Sequence, residues 1–170
     1  MDEKLLGKGH EIYENGLRLG YTTGSCATAA ALSAAKMLVD EGSDILKLET
    51  PSGITLILEV LNKRIDGEYA FSEIRKSSGD DPDVTDGILI GAKVRKRNDD
   101  NIVISGGEGV GIIKRKGLFG KVGEPAINPM PRKMIEDALK PLGGFDVEIY
   151  VPNGREIAKK TYNENMGIEG

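Results

Sequence analysis

The chain has 170 residues, 39% of them apolar and 29% charged, a mixture that folds around a core of its own and holds no apolar run long enough to span a bilayer. Its 23 basic and 27 acidic side chains leave a net charge of −4, so no global basic field draws it to nucleic acid. One cysteine excludes an internal disulfide and fits a reducing cytoplasm, while one histidine, His10, leaves a zinc site or a Ser/His/Asp triad short of residues.

Residues 1–16 are polar and are expected to form a loose arm; "MDEKLLGK" lacks the basic-then-apolar layout of a secretory signal. Ser25 to Glu41 reads as a helix, because alanine dominates and Leu32, Ala35, Leu38 and Val39 recur at helical spacing. Gly42 is placed for a left-handed cap at its end. Ile45–Thr50 and Ile54–Leu61 are β-rich, and the turn residues 51–53 between them predict a hairpin. Tyr69–Arg75 and Ile88–Val94 predict two further strands, separated by the acidic segment "SSGDDPDVTDG" of residues 77–87. Ile102–Ser105 is a short strand leading into residues 105–131, too rich in glycine and proline for regular structure throughout, hence a long shaped loop. Pro131 suits the first position of a helix carrying Met134, Ile135, Ala138 and Leu139, which Pro141, Gly143 and Gly144 stop. Phe145–Val151 is the last predicted strand. Strands outnumber helices without a βαβα alternation, so the fold class is α+β.

Three segments can carry chemistry, and each also has a plain structural reading. In "LGYTTGSCATAAA", Thr22, Thr23 or Ser25 caps the helix, and the free amides of its first turn favour an anion. The same residues equally make an ordinary helix start. Cys26 falls in that first turn, where a thiolate is stabilised, yet a lone cysteine among alanines is also a small packing residue. The second segment holds Asp80, Asp81, Asp83 and Asp86. It fails the calcium-loop test, since Asp86 stands where glycine is needed and Ala92 where the bidentate glutamate belongs. Its aspartates either make side-chain turns or orient polar substrate groups. The third, from Gly106 to Gly111 and on through Lys114, Arg115 and Lys116, matches neither the phosphate-binding P-loop nor the dinucleotide fingerprint. What remains is a flexible backbone with a basic triplet beside Glu108, suited to carboxylate or phosphate, or else a solvated turn.

Four stretches, "LRLGYTTGSCATAAA", "SSGDDPDVTDG", "ISGGEGVGIIKRKGLFGKVGEPAINPMPRKMI" and "TYNENMGIEG", resemble in order and spacing the N-terminal half of the cobalt-precorrin-5B C(1)-methyltransferase family, the CbiD type of anaerobic cobalamin biosynthesis. The match runs from about Gly16 to Gly170. Asp86 departs from the histidine expected there, and "KRKGLFGK" is more basic than usual.

The resemblance implies an S-adenosylmethionine-dependent transfer of methyl to carbon 1 of cobalt-precorrin-5B, giving cobalt-precorrin-6A, with cobalt only in the substrate. It implies a mixed sheet packed with two main helices over residues 17–163, in the left-handed βαβ arrangement of ribosomal S5 domain 2. Residues 164–170 would lead to a second α/β domain absent here, so the expected partners are the corrinoid and that domain or another copy, with neither nucleic acid nor membrane. On this reading Thr22, Thr23, Gly24 and Ser25 hold substrate carboxylates, Asp80, Asp81 and Asp83 orient polar groups or loops, and Gly106, Gly107, Glu108 and Gly109 pass close to ligand beside Lys114 and Arg115. No catalytic residue and no protein metal site is assigned. Two other classes stay open: a non-catalytic corrinoid-binding or docking domain, and a phosphate-binding domain of the small-molecule kinase kind.

Overall fold

A computed structural model describes residues 3–83, 85–114 and 121–154, and the backbone of 168–169. Arg115, Lys116, the expected boundary at 163 and residues 164–167 and 170 lie outside the described residues. In chain order the elements are β1 (Lys4–Leu6), β2 (Tyr13–Glu14), β3 (Leu17–Arg18), α1 (Thr23–Leu38), β4 (Ile45–Glu49), β5 (Ile54–Glu59) and β6 (Leu61–Asp66). There follow β7 (Tyr69–Arg75), β8 (Leu89–Lys96), β9 (Ile102–Gly106), β10 (Ile112–Ile113), α2 (Pro129–Leu139) with a 3-10 turn at Lys140–Leu142, β11 (Phe145–Tyr150) and β12 (Ile168–Glu169).

Period-two alternation builds the main sheet, ordered β6-β7-β8-β11-β9 and antiparallel except between β11 and β9. Ala70, Ser72 and Ile74 alternate inward on β7, as do Ile90, Ala92 and Val94 on β8 and Val147 and Ile149 on β11. They bury against α1, whose Ala29, Ala30, Ala31, Ala34 and Ala35 are wholly enclosed. Small residues on both surfaces bring helix and sheet close enough for the Ser72 hydroxyl to donate to the Ala30 carbonyl at 2.7 Å. Helix α2 lies alongside α1 and contributes Ile135 and Leu139, each fully buried, worth about 1.5–3 kcal/mol apiece. A second sheet, β1-β5-β4, adds Leu6, Leu46, Leu48, Leu56 and Leu58 to the same core. Two helices on mixed sheets make the α+β class.

Several boundaries differ from the sequence reading. The loose arm does not describe residues 4–6: β1 pairs in parallel with Ile54–Leu56 and buries Leu6. Asn15 and Gly16, both at positive φ, turn the β2–β3 hairpin, as an Asn-Gly pair does best. Helix α1 ends at Leu38, and its left-handed residue is Asp40 (φ 61) rather than Gly42. The Glu41 amide then bonds back to the Lys36 carbonyl, the outer bond of a Schellman end. The run Ile54–Leu61 breaks at Val60, so that Leu61 opens β6 in the main sheet. Helix α2 begins two residues before Pro131, with Pro129 in its first turn where the missing N–H costs nothing.

Candidate functional site

The start of α1 is fixed from its sequence outward. Thr22 is the N-cap: its Oγ1 accepts the Ser25 amide at 3.0 Å and donates to the Ser25 Oγ at 3.0 Å. The hydroxyls of Thr22 and Ser25 are therefore engaged with each other, and Ser25 is buried. That leaves exposed Thr23 and the amides of Thr23 and Gly24, which helix geometry provides with no intrahelical acceptor. Gly24 also serves packing, because a Cβ there would stand 2.7 Å from Cγ of Pro131 on α2.

Thr23, Gly24 and Ala27 form one side of a groove of about 360 Å³. Its opposite side is Gly109, Val110 and Gly111, its floor Ile90, Ile149 and Val151, and its outer wall Ala126, Ile127, Asn128 and Pro131. Two of the three sequence segments thus converge although more than eighty residues separate them. The walls are apolar, the polar groups are backbone, hydroxyl and amide, and among the described residues no acidic side chain lines the space. An anion on an apolar stem meets such a site without repulsion, and the α1 dipole favours the anionic end at the helix start.

Gly109 (φ 73) takes a conformation that suits glycine, and its Cα lies against Gly154 and Val151. Gly106 packs on Val110 and Pro125, and Gly107 against the Glu148 carboxylate, so neither lines the groove. Glu108 is exposed and accepts the Asn153 amide at 3.3 Å, while its carbonyl takes the Val151 amide. Lys114 is exposed just past β10 and does not line the groove.

The acidic segment holds itself and the approach to α1. The Asp80 Oδ2 accepts the Arg18 amide at 2.7 Å, and the Asp80 amide returns a bond to the Arg18 carbonyl. The Tyr21 amide bonds to the Ser77 carbonyl, and Gly20 lies so close to Ser77 and Ser78 that no side chain fits. Asp83 accepts from the Thr85 amide at 2.8 Å and from Lys76 Nζ at 2.9 Å. Those bonds hold its carboxyl down to about 2, the Thr85 amide contributing most. Asp81 is exposed and borders a smaller cavity with Arg18, Gly20 and Ser78. None of the three aspartates lines the groove.

Lys76, missed in the sequence, is the centre of this loop. Its side chain is 7% exposed, and its amine reaches Asp83, Ser78 Oγ at 3.3 Å and Thr85 Oγ1 at 2.5 Å. Its signal was a lysine at the end of an alternating strand just before four aspartates. Cys26 is wholly enclosed, and burial pushes its thiol up to about 12 against the opposing charge of Lys76. It is a packing residue. Among the described residues no three His, Cys, Asp or Glu side chains group as a metal would need.

The open face of the main sheet carries cations too, but they are taken. Arg64 lies over the Phe71 ring at 3.8 Å and Lys93 over the Tyr69 ring at 4.3 Å. Asp146 accepts from Arg95 and Arg97 at 2.7 Å each, which holds its carboxyl below the usual range.

Comparison with known proteins gives the family. The CbiD family model matches residues 10–170. A cobalt-precorrin-5B C(1)-methyltransferase of Alkaliphilus oremlandii is 55% identical over 157 residues, covering 91% of this chain and 44% of the relative. One of Treponema denticola is 53% identical over 161 residues, with the same two coverages. The crystal structure of a cobalamin biosynthesis protein (cbiD) from Archaeoglobus fulgidus superposes with a TM-score of 0.67 at 34% identity, over 91% of this chain and 50% of that one. The chain thus spans about half the length of the relatives it matches. No helix among the described residues is long and apolar enough to cross a membrane. By the extent of the family match and these identities, the chain belongs to the CbiD family.

Proposed function

We propose that this chain is the corrinoid-holding N-terminal half of a cobalt-precorrin-5B C(1)-methyltransferase, and that the groove between α1 and residues 109–111 seats one carboxylate arm of the macrocycle. One observation carries the reading: the α1 start and the glycine loop meet in an apolar groove whose polar groups can donate hydrogen bonds and to whose lining the described residues contribute no carboxylate. A groove of about 360 Å³ takes an arm and its stem but is small for a whole corrinoid macrocycle, so the ring lies at its mouth. Methyl transfer from a sulfonium to carbon asks for alignment and exclusion of water more than for acid–base groups, which suits a chain with one histidine.

S-adenosylmethionine would supply the methyl group. Its amino group and ribose hydroxyls are best met by carboxylate acceptors, and the described residues of the groove lining offer none, so no residue here is assigned to the donor. The relatives' greater length supports a second domain, or a partner, completing the enzyme. The parallel pair β9 and β11, joined through α2, is our counterpart for the left-handed crossover of ribosomal S5 domain 2, and we place the protein in a reducing cytoplasm.

The test is calorimetric titration with cobyrinic acid, a polycarboxylate cobalt corrinoid, and separately with ATP. The reading expects corrinoid binding that Ala126→Phe, which puts a ring in the groove, abolishes. Tight ATP binding without corrinoid binding would defeat it.

A further inference from the structure

We propose that Arg132 is a positioning residue that sets the width of the groove by holding its outer wall against α2. The wall is a tight turn, the Ile127 amide bonding to the Pro125 carbonyl at 2.8 Å. On the inner side it is stitched to the glycine loop by the Ala126 amide, which donates to the Gly111 carbonyl at 2.7 Å. On the outer side the Arg132 guanidinium grips it twice: Nε donates to the Ile127 carbonyl at 3.0 Å and Nη2 to the Pro125 carbonyl at 3.2 Å.

The planar fork of arginine spans two carbonyls of one turn, whereas a lysine ammonium reaches them only as a point donor. Arg132 sits beside Pro131, whose ring rests on Gly24, so the same turn of α2 fixes the wall and its distance from the α1 start. Arg132 does not itself line the groove, and it therefore acts through Ala126, Ile127 and Asn128, which do. Without it the turn keeps, among the described residues, its bond to Gly111 and the backbone bond between Ile113 and Glu124. A widened groove grips the stem of a carboxylate arm less well; that consequence for ligand rests on the function proposed above, while the hold on the wall does not.

Hydrogen exchange and cobyrinic acid titration of wild type, Arg132→Ala and Arg132→Lys separate the two. In Arg132→Ala the amides of Ala126 and Ile127 should exchange about tenfold faster or more, with β7 and β8 amides unchanged, and cobyrinic acid affinity should fall about tenfold. Arg132→Lys, restoring part of the grip, should fall between on both readouts at an equal melting temperature. Unchanged exchange at Ala126 and Ile127 in Arg132→Ala would overturn the proposal, and so would faster exchange with unchanged affinity. If exchange quickens while the wild type itself takes up no cobyrinic acid, the hold on the wall stands and the proposed function falls.

Discussion

Replacing Lys76 by methionine removes the buried amine that gathers the acidic loop. Its partners Ser78 and Thr85 lose a donor, and Asp83 keeps only Thr85. Breaking a fully buried ion pair costs about 3–5 kcal/mol, but the Asp83 side chain is 40% exposed and water replaces part of the loss, leaving about 2 kcal/mol. Unfolding entropy of about 2.1 cal/mol/K per residue over 170 residues converts this to a melting temperature about 6 °C lower. Because the loop also holds residues 18–21, the exchange of the Thr23 and Gly24 amides should quicken as well. Asp83→Asn adds a pH test. A carboxyl held at about 2 in the fold, against 3.8 when free, stabilises the fold above pH 3.8 and stops doing so as pH falls through 2. After discounting for exposure, the wild-type advantage over Asp83→Asn should be about 1 kcal/mol at pH 6, shrink below pH 3.8 and be lost as pH falls below 2, read by urea unfolding. A Lys76→Met variant melting within a degree of wild type, or a double mutant losing the full sum of the two singles, would refute the reasoning.

Cys26 should resist a thiol reagent such as DTNB at pH 8 in the folded chain and react at once in urea, because burial keeps it a thiol. Gly91→Ala should cost about 1–3 kcal/mol in urea unfolding, since a Cβ there would stand 2.3 Å from Cζ of Tyr150, whose hydroxyl donates to Glu73 at 3.0 Å.

Local patterns were the legible part of this fold. The strand Tyr69–Arg75 was legible to the residue, and alanine content marked α1. β1 was not legible, because "KLL" has no alternation to read and its parallel pairing with Ile54–Leu56 spans some fifty residues. β6, "LNKRID", is an exposed edge strand whose charges look like a loop. The Asn15-Gly16 pair is a hairpin signal, set in a stretch too polar to read as strand.

At the site, composition pointed to donors at the α1 start and the glycine loop, and the fold brings these together. It could not tell that Thr22 and Ser25 bond to each other, or that Asp80 and Asp83 are held by Arg18 and Lys76. Arg132 has no sequence signal at all, since its acceptors are main-chain carbonyls of a turn five to seven residues away.

The central claim is that a carboxylate arm enters the groove, and amide chemical-shift mapping during a titration with cobyrinic acid tests it most directly. The account predicts the largest shifts at Thr23, Gly24, Gly109, Val110 and Gly111, with Tyr69, Lys93 and Arg95 on the open sheet face unmoved. Shifts centred on that sheet face, with Thr23 and Gly24 silent, would contradict it.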